Sequence, residues 1–395
     1  MKPTLFFYCQ HSMGLGHLVR SWAIADALSS SFRVVFVSGG ESPAGMEPPA
    51  AVEVVTLPAL EQYTAGDIVT REPDEQVAQI QARRRRLLID TFAATRPAVV
   101  VIELFPFGRA KFADEILPIL DRAGTLVPRP VVVCSIRDLL ASGRKNQQQH
   151  DDRARAIVEQ YFDAVLVHAD PRLAALEETF KPTTPLRVPV MYTGFVTPRQ
   201  APSATARRDR AGVLVSAGGG RYGGPLFRAA VEAHLLCGAA ERLPMRIVTG
   251  PFLPGDEYAA LEWRASNCGD LTIDRSVPSL RPILESSRLS VSQCGYNTAL
   301  DLLQAGLPAL VVPFAEGRED EQRVRARRLE ALGAVRVLDP DELTGPRLAD
   351  ELMATRSFTW VSIALDLGGA RETLRIVNRL RRSPVPGRIR EMERA

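Results

Sequence analysis

Residues 292–329 read SQCGYNTALDLLQAGLPALVVPFAEGREDEQRVRARRL and set a glycine, a carboxylate and an amide in one frame. Residues 289–293 (LSVSQ, ending at Gln293) read as a buried strand, Gly295 as a turn, and residues 297–305 as a helix stopped by Gly306-Leu307-Pro308. A second helix opens at Glu321-Gln322. The first N–H groups of a helix lack partners within it and carry partial positive charge, so a diphosphate over Gly295, Tyr296, Asn297 and Thr298 would be stabilised. Asp301, in the first turns of the same helix, would then accept hydrogen bonds from ribose hydroxyls.

Two further glycine loops could carry chemistry. Residues 11–20, HSMGLGHLVR, follow the first apolar strand and enter an apolar helix. Gly14 and Gly16 shape an anion cradle there, beside His11. His17, whose side chain ordinarily titrates near about 6.5, suits either proton abstraction or phosphate binding. The competing reading makes these glycines packing aids and His17 a satisfied structural histidine. Residues 212–224, GVLVSAGGGRYGG, again run from a strand into glycines. Gly218, Gly219 and Gly220 would let backbone N–H groups approach a diphosphate without a Cβ in the way, and Arg221 could add a charged contact. No GK[ST] follows, which excludes a Walker motif.

Glu103 ends the fourth strand and is the alternative base to His17; Arg137-Asp138 end the fifth and read as an internal ion pair. Metal chemistry finds little support. The sole DxD pattern, Asp339-Pro340-Asp341, reads as a helix cap, HExxH is absent, and His150, His168 and His234 stand alone. The five cysteines, Cys9, Cys134, Cys237, Cys268 and Cys294, are scattered without CxxC spacing, which suggests neither zinc nor disulfides and fits a reducing cytoplasm.

These loops need a scaffold. The first half repeats short apolar β-branched runs, at residues 5–9, 33–37, 52–57, 99–104, 131–136 and 164–168, separated by helical segments. That alternation reads as a parallel α/β sheet. Residues 181–210 turn rich in Pro, Thr, Ala and Arg, and a domain boundary is placed there. A second series follows at residues 212–217, 246–250, 271–273, 289–293 and 307–314, and two helices are expected over residues 358–382. Two domains, 1–198 and 211–360, suit a chain of 395 residues.

The net charge of +3 argues neither for nor against nucleic acid, and no nucleic-acid-binding signature appears. Arg83 to Arg86 fall in a helical pattern and read as a solvated face rather than a membrane or RNA patch, although they are the one hint of weak membrane-surface contact. The N-terminal apolar run is too short for a signal peptide or a membrane span.

With these motifs in place, the chain resembles the MurG-like glycosyltransferases, in an uncharacterised bacterial branch of that family-28-like group. Carried over by position, Asp301 falls on the acidic residue that binds ribose, Gln322 on the amide near the sugar hydroxyls, and Arg325 beside it. Val277 falls where backbone groups meet the base, and His17 on the first-loop histidine. The resemblance implies the GT-B fold: two doubly wound, Rossmann-like α/β domains facing a cleft, an N-terminal acceptor domain and a C-terminal donor domain, with a helix near residues 368–385 packing back on the first. It also implies a metal-independent inverting transfer from a nucleoside diphosphate sugar, UDP-linked, with no resident cofactor. The ribose carboxylate is Asp rather than Glu, Tyr296-Asn297 are bulkier than the family's small residues, and His11 stands where that branch often has an acidic residue. The sugar, the acceptor (small or lipid-linked) and the state, monomer or homodimer, stay open. So do nucleotide-sugar hydrolase, 2-epimerase and non-catalytic binding readings.

Overall fold

The computed structural model describes residues 2–11, 15–42, 46–62, 68–70, 76–141, 143–198, 210–238, 242–277, 279–314 and 320–383. The chain divides into two compact units, Met1–Arg199 with Leu365–Ala395, and Gln200–Ala364.

Unit 1 opens with β1 (Thr4–Cys9), α1 (Leu15–Ser29), β2 (Arg33–Ser38) and β3 (Val52–Thr56). An antiparallel ribbon follows, β4 (Leu60–Gln62) and β5 (Ile68–Thr70). Then come α2 (Val77–Thr95), β6 (Val99–Glu103), α3 (Ala113–Thr125), β7 (Val131–Arg137), α4 (Gln147–Tyr161), β8 (Ala164–His168), α5 (Leu176–Thr179) and β9 (Val190–Tyr192). Seven strands pair in the order β3-β2-β1-β6-β7-β8-β9, all parallel. β6 and β8 are buried along their whole length, because helices cover both faces of a parallel sheet and each residue meets apolar neighbours on either side.

Unit 2 holds β10 (Val213–Ser216), α6 (Gly224–Leu236), β11 (Met245–Val248), α7 (Gly255–Ala265), β12 (Leu271–Asp274) and α8 (Arg281–Ser286). It continues with β13 (Leu289–Ser292), α9 (Tyr296–Ala305), β14 (Ala309–Val311), α10 (Glu321–Ala331), β15 (Arg336–Val337) and α11 (Gly345–Arg356). Its six strands run β12-β11-β10-β13-β14-β15, again all parallel. The last helix, α12 (Gly369–Arg382), belongs to unit 1, where Ile376, Val377 and Leu380 join the core formed by Leu18, Trp22 and Ala25 of α1.

Several elements differ from the sequence reading. One helix, not two, occupies residues 358–382, since residues 358–368 form no helix. The strand expected over residues 307–314 shortens to Ala309–Val311, bounded by Pro308 and Pro313. β9 lies inside the stretch assigned to the boundary, where it pairs with β8 at the sheet edge. The four-arginine run does not form one solvated face. Arg83, Arg85 and Arg86 are exposed, but Arg84 points inward and is fully buried, because consecutive helical residues are about 100° apart and one must face the sheet.

Both sheets reverse direction once. In unit 1 the order climbs outward from β1 to β3 and, on the other side, from β6 to β9; in unit 2 the reversal lies between β10 and β13. Connections leaving the carboxyl ends of the two central strands diverge there, and the crevice between them is where such sheets bind ligands.

Candidate functional site

In unit 1 the crevice lies between the loop after β1 and the end of β6, whose register sets Tyr8 beside Ile102. That pairing brings His17, near the start of α1, onto Glu103, the last residue of β6: Nδ1 lies 2.6 Å from Oε1. Arg20, three residues further along α1 and so on the same helix face, donates from Nη2 to the same oxygen at 2.5 Å. Glu103 is completely buried and Arg20 nearly so, whereas the His17 side chain retains 13% of its surface. Glu103 therefore sits behind His17 rather than at the opening.

The electrostatics follow from that packing. Burial works to raise the Glu103 carboxyl, but His17, Arg20 and Arg109 together hold it at about 2. Burial lowers His17 to about 3, against the pull of Glu103. The pair is thus a carboxylate and a neutral imidazole. An ionised carboxylate has no proton to give, so the 2.6 Å contact requires Nδ1–H on His17 and leaves the Nε2 lone pair as its basic atom.

His11 is oriented by the same logic. Ser38 Oγ donates to Gly40 O at 2.7 Å, which uses its one hydrogen, so His11 Nε2 must donate to Ser38 Oγ at 2.7 Å. Its Nδ1 is the acceptor, and burial with the charge of Arg109 lowers the ring to about 4. His168 is sealed instead. Ser135 Oγ and Thr193 Oγ1 lie 2.7 and 2.8 Å from its two nitrogens, it is fully buried, and burial lowers it to about 3.

Beneath His11 a buried network fixes the end of β1. Arg84 reaches Glu115 from Nε at 2.9 Å and Nη2 at 2.8 Å, Gly39 O at 2.8 Å, and Gln10 Oε1 at 2.5 Å. Tyr8 donates to Glu115 from the other side at 2.5 Å. A Cβ on Gly39 would come within 2.1 Å of Gln10 Oε1, so only glycine fits the closed turn after β2. Gly16 lies in the first turn of α1 rather than in a loop, while Gly14 lies outside the described residues.

In unit 2 the register sets Ser216 beside Ser292, so the loops after β10 and β13 are neighbours. Gly295 caps α9, and a Cβ built on it would meet nothing closer than Thr298 Oγ1 at 3.9 Å. Tyr296 turns into the core and is buried, which removes the bulk its type suggested, while Asn297 and Thr298 stay at the half-buried helix start. Asp301 is half-buried with no hydrogen bond or ion pair among the described residues. Burial raises its carboxyl to about 6, with Arg281 pulling it back.

The three glycines after β10 divide in function. Gly218 has open space where a Cβ would stand, but Gly220 packs so closely that its Cβ would meet Thr249 O at 1.9 Å. The Gly220 N–H is already spent on Ala217 O at 3.0 Å. The anion cradle expected over all three glycines thus reduces to Gly218 and Gly219. Arg221 lies over the Phe252 ring at 5.6 Å.

Gln322, second residue of α10 after Glu321, turns its carbonyl inward. Oε1 accepts from the backbone of Cys294 at 2.9 Å and Phe314 at 3.2 Å, which pins the ends of β13 and β14 together and leaves the amide nitrogen as the group available to a ligand. Arg325 is buried and donates to Cys294 O at 2.8 Å, so it positions the Gly295 turn. Gln293 Nε2 donates to Tyr222 O at 3.0 Å, and the Tyr222 ring stacks on Phe314 at 4.6 Å. Val277, after β12, is half-buried.

Sequence reading missed Arg20, Arg84 and the Tyr222–Phe314 stack. Arg20 was discoverable, since i and i+3 share a helix face; Arg84 and the stack depend on which segments meet. Asp339 is a cap, its carboxylate accepting from Asp341 N at 3.1 Å. Among the described residues no group of three or more His, Cys, Asp or Glu is placed to hold a metal ion, and no helix is long and apolar enough to cross a membrane.

Comparison with known proteins fits this geometry. Residues 264–359, from α7 to beyond α11, match the glycosyltransferase family 28 C-terminal domain. The chain is similar to the UDP-N-acetylglucosamine–N-acetylmuramyl-(pentapeptide) pyrophosphoryl-undecaprenol N-acetylglucosamine transferases of Hahella chejuensis, 28% identical over 120 residues (30% of this chain, 33% of that protein), and Desulforamulus reducens, 28% over 147 residues (36% and 39%). An NDP-glycosyltransferase of Bacillus licheniformis is 33% identical over 86 residues, 22% of this chain and 20% of that one. The matched stretch of the first of these spans about a third of that relative's length. Among solved structures, the calicheamicin glycosyltransferase superposes with a TM-score of 0.57 at 18% identity, covering 96% of this chain and 94% of that one. Acinetobacter baumannii MurG gives 0.56 at 13%, covering 95% and 100%. The fold is GT-B, two parallel-sheet α/β units, and the stretch that matches the family 28 C-terminal domain lies in unit 2.

Proposed function

We propose that the chain is a glycosyltransferase that moves a sugar from a nucleoside diphosphate sugar, UDP-linked, to an acceptor hydroxyl, without a metal and with inversion at the anomeric carbon. One observation carries the reading: the partly exposed His17 imidazole at the unit 1 switch point, with its Nδ1 2.6 Å from the fully buried Glu103 carboxylate. The family 28 match in unit 2 supports the donor class.

In this mechanism the acceptor O–H bond breaks as its proton passes to His17 Nε2, and the acceptor oxygen forms a bond to the anomeric carbon. The bond from that carbon to the diphosphate breaks, and the electron pair leaves on the nucleoside diphosphate. The partial positive charge at the start of α9 and the Gly218-Gly219 turn stabilise the leaving charge. Asp301 accepts hydrogen bonds from the ribose, and the Gln322 amide nitrogen donates to the sugar. Glu103 has no exposed surface, which argues against it as the nucleophile of a double displacement and supports direct attack by the acceptor, which would invert configuration. Unit 1 takes the acceptor and unit 2 the donor, with the protein acting at the cytoplasmic side.

The test combines binding with turnover. Uridine diphosphate sugars are expected to bind in preference to other nucleotide sugars. His17→Ala should keep that binding while release of uridine diphosphate, measured with a panel of acceptor alcohols and with water, falls by about 10²- to 10⁴-fold. Undiminished turnover in His17→Ala would sink the base assignment, and free sugar as the only product would make the protein a hydrolase.

A further inference from the structure

We propose that Arg20 is a positioning residue: by holding Glu103 as an anion from behind, it fixes the proton of His17 on Nδ1 and so keeps Nε2 as the base. This rests on the base role of His17 stated above.

The geometry is a three-centre arrangement on one oxygen. Glu103 Oε1 receives His17 Nδ1–H at 2.6 Å and Arg20 Nη2–H at 2.5 Å, while Oε2 has no hydrogen-bond partner among the described residues. Arg20 Nη2 also lies 3.4 Å from His17 Nδ1. A fully buried carboxylate with half its acceptor capacity unused takes up a proton unless cations oppose this. Once protonated, Glu103 would turn from acceptor to donor. Its O–H would then give a hydrogen bond to Nδ1, the imidazole proton would move to Nε2, and the basic atom would be lost.

Apart from His17, no other neighbour is seen donating to the carboxylate among the described residues. Cys9 of β1 and Cys134 of β7 are thiols that burial keeps protonated, and His168 of β8 is neutral and sealed. His11 is neutral with its donor spent on Ser38. Arg109 after β6 and Arg137 at the end of β7 contribute positive charge to this cluster. Arg20 is the guanidinium seen in contact with the carboxylate among the described residues, and α1 supplies it together with the imidazole it governs.

Nitrogen-15 NMR of the imidazoles, on the whole chain without substrate, reads the tautomer directly. The wild type should show His17 protonated on Nδ1 near neutral pH, and Arg20→Lys should keep that state. Arg20→Met should shift His17 to the Nε2-protonated form, with turnover lower by about 100-fold and binding of the uridine diphosphate donor changed less than twofold. A wild-type spectrum with His17 protonated on Nε2 overturns the inference whether or not Arg20→Met folds. So does Arg20→Met with the Nδ1 tautomer intact and turnover near wild type, an outcome that leaves the base role standing. Were His17→Ala instead to keep full turnover while the tautomers behave as stated, the base role would fail and the Arg20 arrangement would remain.

Discussion

The two switch points share a topology and are furnished in opposite ways. In unit 1 the crevice is backed by buried charge: Glu103 with Arg20, and one layer below, Glu115 with Arg84. In unit 2 it is lined by backbone and a carboxylate that has no partner among the described residues, with Gln322 and Arg325 holding loops rather than filling the opening. A proton site needs one atom of controlled basicity, which only a fixed set of charges can supply. An anion site needs converging N–H groups and space, which glycine and a helix start provide. Sheets of like topology would thus set where a ligand sits, and the side chains at the strand ends what is done to it.

The largest expected contrast is in acid. Unfolded, His11, His17 and His168 take up protons near pH 6.5; folded, they refuse them down to about 4, 3 and 3. Unit 1 therefore has its full stability above pH 6.5 and loses it as pH falls toward 3, with Glu103 adding to the loss between about 4.5 and 2. Asp301 acts in the reverse sense. Its folded carboxyl keeps a proton to about pH 6 against an ordinary 3.8, so its contribution to unit 2 is present below 3.8 and is lost as pH rises through 6. Hydrogen exchange followed by unit between pH 7 and 4 should show unit 1 loosening first; equal loosening of both would break the contrast.

Next in size is Arg84→Met, which strands Glu115 in the core. A loss of about 3–5 kcal/mol in denaturant unfolding is expected, from the unpaired buried charge. A loss under about 1 kcal/mol would show that the network is dispensable. Smallest is Asp301→Ala, which should raise the donor KM by roughly tenfold, the effect of one charge-assisted hydrogen bond, with kcat little changed. An unchanged KM would remove the ribose role.

Much of this was legible without coordinates. The parallel α/β class followed from apolar runs alternating with helical segments, and the glycine loops from their place at strand ends. The Gly295 turn and the helix bearing Asp301 were read closely, because a glycine stop and a helix start are local signals. The pairing of His17 with Glu103 was not legible: 86 residues separate them, and only the crossover that places β6 beside β1 brings them together. Arg84 was misread because a run of like charges says nothing about which member faces the sheet. Gly220 was misread because a glycine needed for close packing against Thr249 looks, in sequence, like one needed for a ligand.

By itself the sequence determined the local matters: strand and helix periods, the caps, the turns that need glycine, and the His-x-x-Arg spacing that sets both groups on one helix face. The tertiary structure decided which of these groups are charged, neutral or spent. Protonation depends on burial and on partners distant in the chain, and both come into being only when the sheet assembles.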